Sequence, residues 1–312
     1  YQQAIFDFIT NTAQGAVNAV ISAVAGSGKT TTLVNAIKLI PDNKSVLFLA
    51  FNKSIAEELK QRIDQSATRV VSTLHSYGLS SLRKLRNVTI DDGKYRKLFR
   101  SIIDFHNGIN GALQPYNFSP TQTQIVSQFA QVVNDLNVNE DSSQYVGRVI
   151  TLCNLGRMNL VSSVEQLTQL AYKHNVELVN GEVDCALKLI KLGTYYNSAI
   201  DFTDMIYLPI VLNCPVETYD FVFVDECQDL NAAQRHLMLK AIKKDGGRFV
   251  AVGDPQQAIY GFAGADADSF KKLQEIPNTI TLPLSVSYRC GSKIVELAKQ
   301  VVPTLEAAPT AK

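Results

Sequence analysis

The sequence predicts an α/β protein: a parallel β-sheet with a mainly helical subdomain inserted between its strands. Three observations carry that reading. Short apolar runs rich in valine, isoleucine and phenylalanine recur at 20–24, 46–50, 69–72, 221–224, 249–252 and 279–282, each the length of a strand buried on both faces. Helical patterns separate several of them, at 30–39, 55–63 and 232–242, an alternation that calls for right-handed crossovers in a layered sheet. The interval 79–199 breaks the alternation: it has almost no strand-like runs but helix-length patterns at 95–105, 121–136, 164–172 and 184–196. Within it, 108–120 carries glycine and proline breakers and reads as a loop.

Composition bounds the rest. At 312 residues, about 150 per domain gives about two domains. With 46% hydrophobic and 19% charged residues the chain can bury a core and is too apolar to stay disordered. The formal net charge of +1 supplies no global field for a polyanion, so any such site must be local. Five cysteines (Cys153, Cys185, Cys214, Cys227, Cys290) lack zinc-site spacing and read as reduced, mostly buried thiols. No signal-peptide pattern is present, and the densest apolar stretch, 205–212, is far below the roughly 18 to 20 residues of a membrane span. No membrane association is expected; the expected location is the cytoplasm, or the nucleoid within it.

The strongest local signal follows the first apolar run. Ala23-Val24-Ala25-Gly26-Ser27-Gly28-Lys29-Thr30 sits between a strand pattern and a helix pattern, the context of a phosphate-binding loop. Gly26 and Gly28 permit backbone angles that turn N–H groups inward, and the helix N-terminus adds positive potential. Lys29 can reach the β and γ phosphates, and Thr30 can ligate magnesium. The first position is Ala23, where the strict pattern has glycine. At 221–229, four apolar residues deliver Asp225 and Glu226 to the carboxyl end of a strand, where open α/β sheets place ligands. Asp225 suits the metal ion, and Glu226 suits orienting and deprotonating an attacking water, which favours hydrolysis of ATP over transfer to a metabolite. After the next run, Gln257 has an amide able to accept from water and donate to phosphate without charge. Tyr260 and Phe262 flank Gly261; such aromatics can stack on single-stranded bases or fill a core.

In order along the chain these segments resemble the motifs of superfamily 1A DNA helicases, the UvrD, Rep and PcrA group. Residues 25–30 are similar to motif I, 48–54 to motif Ia, 72–76 to motif Ib, 225–229 to motif II, the Gly-Asp-Pro-Gln stretch from 253 to motif III, and Ser287-Tyr288-Arg289 to the end of motif IV. Asp201-Phe-Thr-Asp204 matches a segment that often precedes motif II. The resemblance implies that Gln2, or Gln3, reads adenine; that Ala25, Gly26, Ser27, Gly28, Lys29, Thr30 and Thr31 cradle ATP; and that Thr30 and Asp225 hold Mg2+. It further implies that Tyr288 stacks on adenine and that Lys29, Asp225, Glu226, Gln257 and Arg289 form the catalytic set, with Arg289 a charge-stabilising finger on the γ-phosphate. Phe51, Asn52, Lys53, Thr73, His75, Tyr260 and Phe262 would touch DNA.

The implied fold is a RecA-like ATP-binding domain over 1–78 and 200–285, with the helical insertion at 79–199 and 286–312 beginning a second RecA-like domain or linker. The implied activity is ATP-driven 3′ to 5′ movement on single-stranded DNA and unwinding at single-strand/duplex junctions; the alternative is an ATP- and single-strand-binding module that unwinds nothing. The chain departs from the family pattern in Phe262 for tryptophan, Ala263 for arginine and Thr31 for arginine. Motifs V and VI do not follow, so the expectation is an N-terminal part of a longer chain that binds ATP weakly and hydrolyses it poorly alone. A basic stretch at 83–100 (Arg83, Lys84, Arg86, Lys94, Arg96, Lys97, Arg100) reads equally as a phosphate-backbone track or a solvated helix face.

Overall fold

The structure, a computed structural model, describes residues 1–11, 18–135, 143–179, 181–257 and 268–311. It divides into two compact units, Tyr1–Tyr77 with Val216–Lys312, and Gly78–Pro215.

The first unit opens with α1 (Gln2–Thr10), β1 (Asn18–Ala23), α2 (Lys29–Lys38), β2 (Val46–Ala50), α3 (Lys53–Arg62), β3 (Arg69–Thr73) and α4 (Leu74–Leu85), within which the division falls. The second unit continues through β4 (Thr89–Ile90), α5 (Lys94–His106), α6 (Pro120–Asp135), α7 (Ser143–Met158), α8 (Val164–Lys173), α9 (Glu182–Tyr195), β5 (Ala199–Ile200) and α10 (Asp204–Val211). The chain then resumes the first unit with β6 (Phe221–Val224), α11 (Ala232–Lys240), β7 (Arg248–Gly253), α12 (Ser269–Gln274) and β8 (Thr279–Leu284), followed by β9 (Val286–Ser287), α13 (Ser292–Ala298) and β10 (Glu306–Ala307).

Among the described residues the central sheet has six strands in the order β3-β2-β6-β7-β1-β8, every pairing parallel. Burial explains the order. Every residue of β2, β6 and β7 is buried, so these strands need cover on both faces and stand inside the sheet. The edge strands β3 and β8 are only partly buried, and Pro283 lies in β8, where a missing ladder donor is tolerated. Alternate strand residues such as Ile21, Phe48, Phe223 and Val250 meet Leu33 and Ile37 of α2 and Leu59 of α3 in one core.

Among its described residues the second unit is helical apart from the two-residue pairing of β4 with β5, and its core joins Phe99, Phe129, Leu152 and Leu189. At its centre is an ionic cluster. Arg157 donates through Nη1 to Asp201 Oδ1 and Asp204 Oδ1, and through Nη2 to Asp201 Oδ2, all at 2.7 Å. Lys94 Nζ donates to Asp204 Oδ2 at 2.6 Å and to the Gly193 carbonyl at 2.7 Å. The Tyr95 hydroxyl donates to Asp204 Oδ1 at 3.1 Å, and the Arg157 guanidinium lies 3.8 Å from the Tyr95 ring centroid. The side chains of Lys94, Arg157 and Asp204 are wholly buried.

The sequence expectation returned the chain to the sheet at 200 and set 286–312 apart; the structure groups 200–215 with the helical unit and 286–312 with the sheet unit. The reasons are local. Ile200, Met205 and Leu208 bury in the helical core and Asp201 and Asp204 neutralise Arg157, while Val295 and Leu305 pack on Val24 beside the phosphate loop. Among the described residues no helix is long and apolar enough to cross a membrane. All five cysteines are free, four of them buried.

Candidate functional site

Six parallel strands put their carboxyl ends on one edge of the sheet, and β7 lies between β1 and β6. The loop after β1, the turn after β6 and the segment after β7 are therefore neighbours.

The loop after β1 is shaped by its backbone. Gly26 and Gly28 stand at φ +74° and +76°, a region that side chains disfavour. Gly28 is the N-cap of α2 and no side chain caps that helix, so its first-turn N–H groups and its dipole face an outside acceptor. A Cβ at Gly26 would lie 2.5 Å from Arg289 Cβ and 2.9 Å from Ser287 Oγ, and the Gly26 carbonyl accepts from the Tyr288 N–H at 2.9 Å. The 287–289 stretch thus lies directly against the loop. Ser27 and Ser287 both bury a hydroxyl oxygen that finds no hydrogen-bond partner among the described residues.

Across from the loop, Lys29 Nζ donates to Glu226 Oε2 at 2.9 Å and Thr30 Oγ1 to Asp225 Oδ2 at 2.9 Å. Groups almost two hundred residues apart along the chain meet because β1 and β6 flank β7. Glu226 has φ +51° and ψ +46°, a left-handed conformation rare for a residue with a side chain and held here by its N–H donating to Asp225 Oδ1 at 3.0 Å. Burial, and then the neighbouring Glu226, push the Asp225 carboxyl above its ordinary pKa. The same two causes push Asp229 up to about 6. Asp225, Glu226 and Asp229 outweigh the one charge of Lys29, and that negative excess suits a divalent cation. Among the described residues no three His, Cys, Asp or Glu side chains form an all-protein metal cage. Magnesium needs none, since it is commonly held by one or two carboxylates together with substrate phosphates. The uncapped helix, the hard oxygens of Thr30 and Asp225 and the orphaned serine hydroxyls therefore fit a magnesium-bound nucleotide.

A family model described as the UvrD/REP helicase N-terminal domain matches residues 9–277. The chain belongs to this family. It is 26% identical over 309 residues to the ATP-dependent DNA helicase PcrA of Bacillus subtilis (strain 168), and 25% identical over 313 residues to that of Staphylococcus aureus (strain Mu50 / ATCC 700699). The PcrA of Staphylococcus epidermidis is 25% identical over 309 residues. Each match covers 90% of this chain and 37% of the relative, so the chain spans little more than a third of the length of these curated proteins.

The remaining residues expected from the UvrD/REP resemblance are placed as follows where the structure describes them. Gln2 Nε2 donates to Thr32 Oγ1 on α2 at 3.1 Å, whereas Gln3 donates to Asp7 of its own helix, so Gln2 is the glutamine beside the phosphate-loop helix. Ala25 is half-buried, and Thr31 is exposed and accepts from Arg62. Tyr288 presents an exposed ring and Arg289 is exposed. Gln257 donates through Nε2 to Asp254 Oδ2 at 2.8 Å.

Phe51, Asn52 and Lys53 follow β2 and are exposed, with Asn52 Oδ1 capping α3 by accepting from the Ile55 N–H. Thr73 ends β3 and accepts from the Ser76 N–H; His75, in the first turn of α4, is half-buried, and burial lowers its pKa. Tyr260 and Phe262 lie outside the described residues, as does Ala263.

The basic stretch is less uniform than its composition suggests. Lys94 is buried in the ionic cluster, Lys97 pairs with Asp91, and Arg86 bonds Asn197, leaving Arg83, Arg96 and Arg100 among its exposed members.

Sequence reasoning passed over Gln228 and Asp254. Gln228 stands inside the quoted acidic motif, but its importance depends on the end of β7 arriving beside it, which nothing within residues 225–229 reveals.

Proposed function

We propose that the chain binds magnesium ATP at the carboxyl edge of its sheet and hydrolyses it as the motor of a DNA helicase, advancing 3′ to 5′ on single-stranded DNA and opening duplex at junctions. The observation that carries this reading is the meeting of Lys29 and Thr30 with Glu226 and Asp225 beneath an uncapped helix N-terminus.

On this reading the first-turn N–H groups of α2 and the Lys29 ammonium bind the phosphates, while Thr30 and Asp225 hold magnesium. When bound, the ion neutralises charge on the phosphate oxygens and so eases attack by water at the terminal phosphorus. Lys29 exchanges Glu226 for phosphate, which frees the Glu226 carboxylate to orient water and take its proton. Arg289, on the stretch laid against Gly26, adds positive charge beside the same loop, and Gln2 and Tyr288 supply an amide and an aromatic face for adenine. The exposed Phe51, Asn52 and Lys53, with Thr73 and His75, would line a single-strand track at the ends of β2 and β3, and a half-buried neutral His75 is suited to hydrogen bonding rather than to charge pairing.

The test is phosphate release by the purified chain with and without single-stranded DNA. DNA-stimulated release that is lost in Lys29→Ala and Glu226→Gln supports the reading; release indifferent to DNA, or surviving both changes, overturns it. A duplex-displacement assay then separates an unwinding motor from a module that only binds.

A further inference from the structure

We propose that Gln228 is a positioning residue that ties the orientation of Glu226 to the place of the 253–257 segment, so that the water-activating carboxylate and Gln257 move as one unit. The inference rests on the hydrolytic reading of this edge and adds to it a residue that neither the phosphate loop nor the acidic pair accounts for.

The geometry is a chain of hydrogen bonds. Gln228 Nε2 donates to Glu226 Oε2 at 2.9 Å and to Asp229 Oδ2 at 3.1 Å, using both amide hydrogens. Its Oε1 accepts from the Asp254 N–H at 3.0 Å. Beyond it, Asp254 Oδ1 accepts from the Gln256 N–H at 3.0 Å and Asp254 Oδ2 from Gln257 Nε2 at 2.8 Å. One continuous path therefore runs from Glu226 through Gln228 and Asp254 to Gln257. The orientation of the amide is fixed by its neighbours: carboxylates at one end require the NH2, and a backbone N–H at the other requires the oxygen.

Packing leaves the link little freedom. Gln228 is 3% exposed and Asp254 4%. A Cβ at Gly253 would run into Gln228 Oε1 and come within 2.8 Å of Cys227 Sγ, so the end of β7 is pressed against the amide. Glu226 leaves Lys29 when phosphate takes the ammonium, and among the described residues Gln228 then still donates to Glu226 Oε2. Buried polar links of this kind hold their partners in discrete arrangements because a half-broken bond is costly. A glutamine fits because it alone pairs two donors with an acceptor at this length without adding charge; a glutamate would set a third carboxylate against Glu226 and Asp229.

Gln228→Met keeps the length and removes both ends of the link. Expected for the variant is a kcat about 10- to 100-fold lower, as for the loss of a hydrogen-bond partner that orients a metal ligand, with KM for ATP within about threefold of the parent. Amide hydrogen exchange provides the second readout. In the parent chain the Asp254 N–H is protected, and addition of magnesium with a nonhydrolysable ATP analogue alters exchange at 254–257; in Gln228→Met the Asp254 amide exchanges at least about tenfold faster and the segment no longer answers the nucleotide. An unchanged kcat, or a 254–257 response equal to the parent's, overturns the proposal. A parent chain with no nucleotide-dependent activity would count against the hydrolytic reading instead, and Asp254 protection in the nucleotide-free chain still decides the link: if Gln228→Met leaves it unaltered, the tie does not exist.

Discussion

A cluster of basic side chains and carboxylates in the helical unit and another at the edge of the sheet differ in balance. In the helical unit Lys94 and Arg157 face Asp201 and Asp204, charge matches charge, and the side chains, three of them wholly buried, bond one another, a carbonyl and a ring hydroxyl. At the edge of the sheet Lys29 faces Asp225, Glu226 and Asp229; the Lys29 and Glu226 side chains are 12% and 28% exposed, Asp229 Oδ1 and two serine hydroxyls lack partners among the described residues, and Glu226 sits in a disfavoured backbone conformation. The same side chains serve a core when every bond is made internally. They serve a ligand when charge and hydrogen-bonding capacity are left over.

Stability measurements sharpen this contrast. Arg157→Met takes from Asp201 its cation and leaves Asp204 with Lys94 alone, one carboxylate in excess beside a buried site, and is expected to cost about 3–5 kcal/mol in denaturant unfolding. Lys29→Met removes a part-exposed pair and should cost no more than about 1 kcal/mol; equal losses for the two variants would erase the distinction. Ligand linkage comes next: magnesium ATP at one hundred times its Kd should stabilise the parent by about 2.7 kcal/mol, read as a raised Tm, and should not stabilise Lys29→Ala. The smallest effect concerns Asp229. Its folded pKa of about 6 lies above the unfolded value near 3.9, so the native state binds more protons between those limits and stability falls as pH rises from about 4 to about 6. Asp229→Asn should flatten that decline in unfolding titrations across the same window.

The sheet was readable because each inner strand carries a short, mostly apolar run and its phosphate loop is local in sequence. Other features depend on tertiary contacts. The β4–β5 pairing is two residues long on each side and carries no periodicity, and α10, apolar on nearly every side and containing Pro209, shows no amphipathic face. Lys94 counts as surface charge in a composition window and lies in the core, while Arg157 has no local mark of burial at all. Asp201 and Asp204 were legible as a motif, but their place in the helical unit follows from Arg157, forty-odd residues away. In the site, Lys29, Asp225 and Glu226 announce themselves by type and spacing; the contact of 287–289 with Gly26 and the bridge through Gln228 exist only because separate strands end side by side.

The bond from the Tyr288 N–H to the Gly26 carbonyl is made by main-chain atoms, and so it is invisible to most mutagenesis. Alanine, phenylalanine or lysine at 288 would all keep it; proline alone deletes the donor. A substitution scan at that position would accordingly score the ring and miss the latch, whereas a one-residue insertion between Leu284 and Tyr288 would slide a different amide opposite Gly26 and change the spacing of everything downstream relative to the loop. Length, more than side-chain identity, is what this short stretch has to preserve.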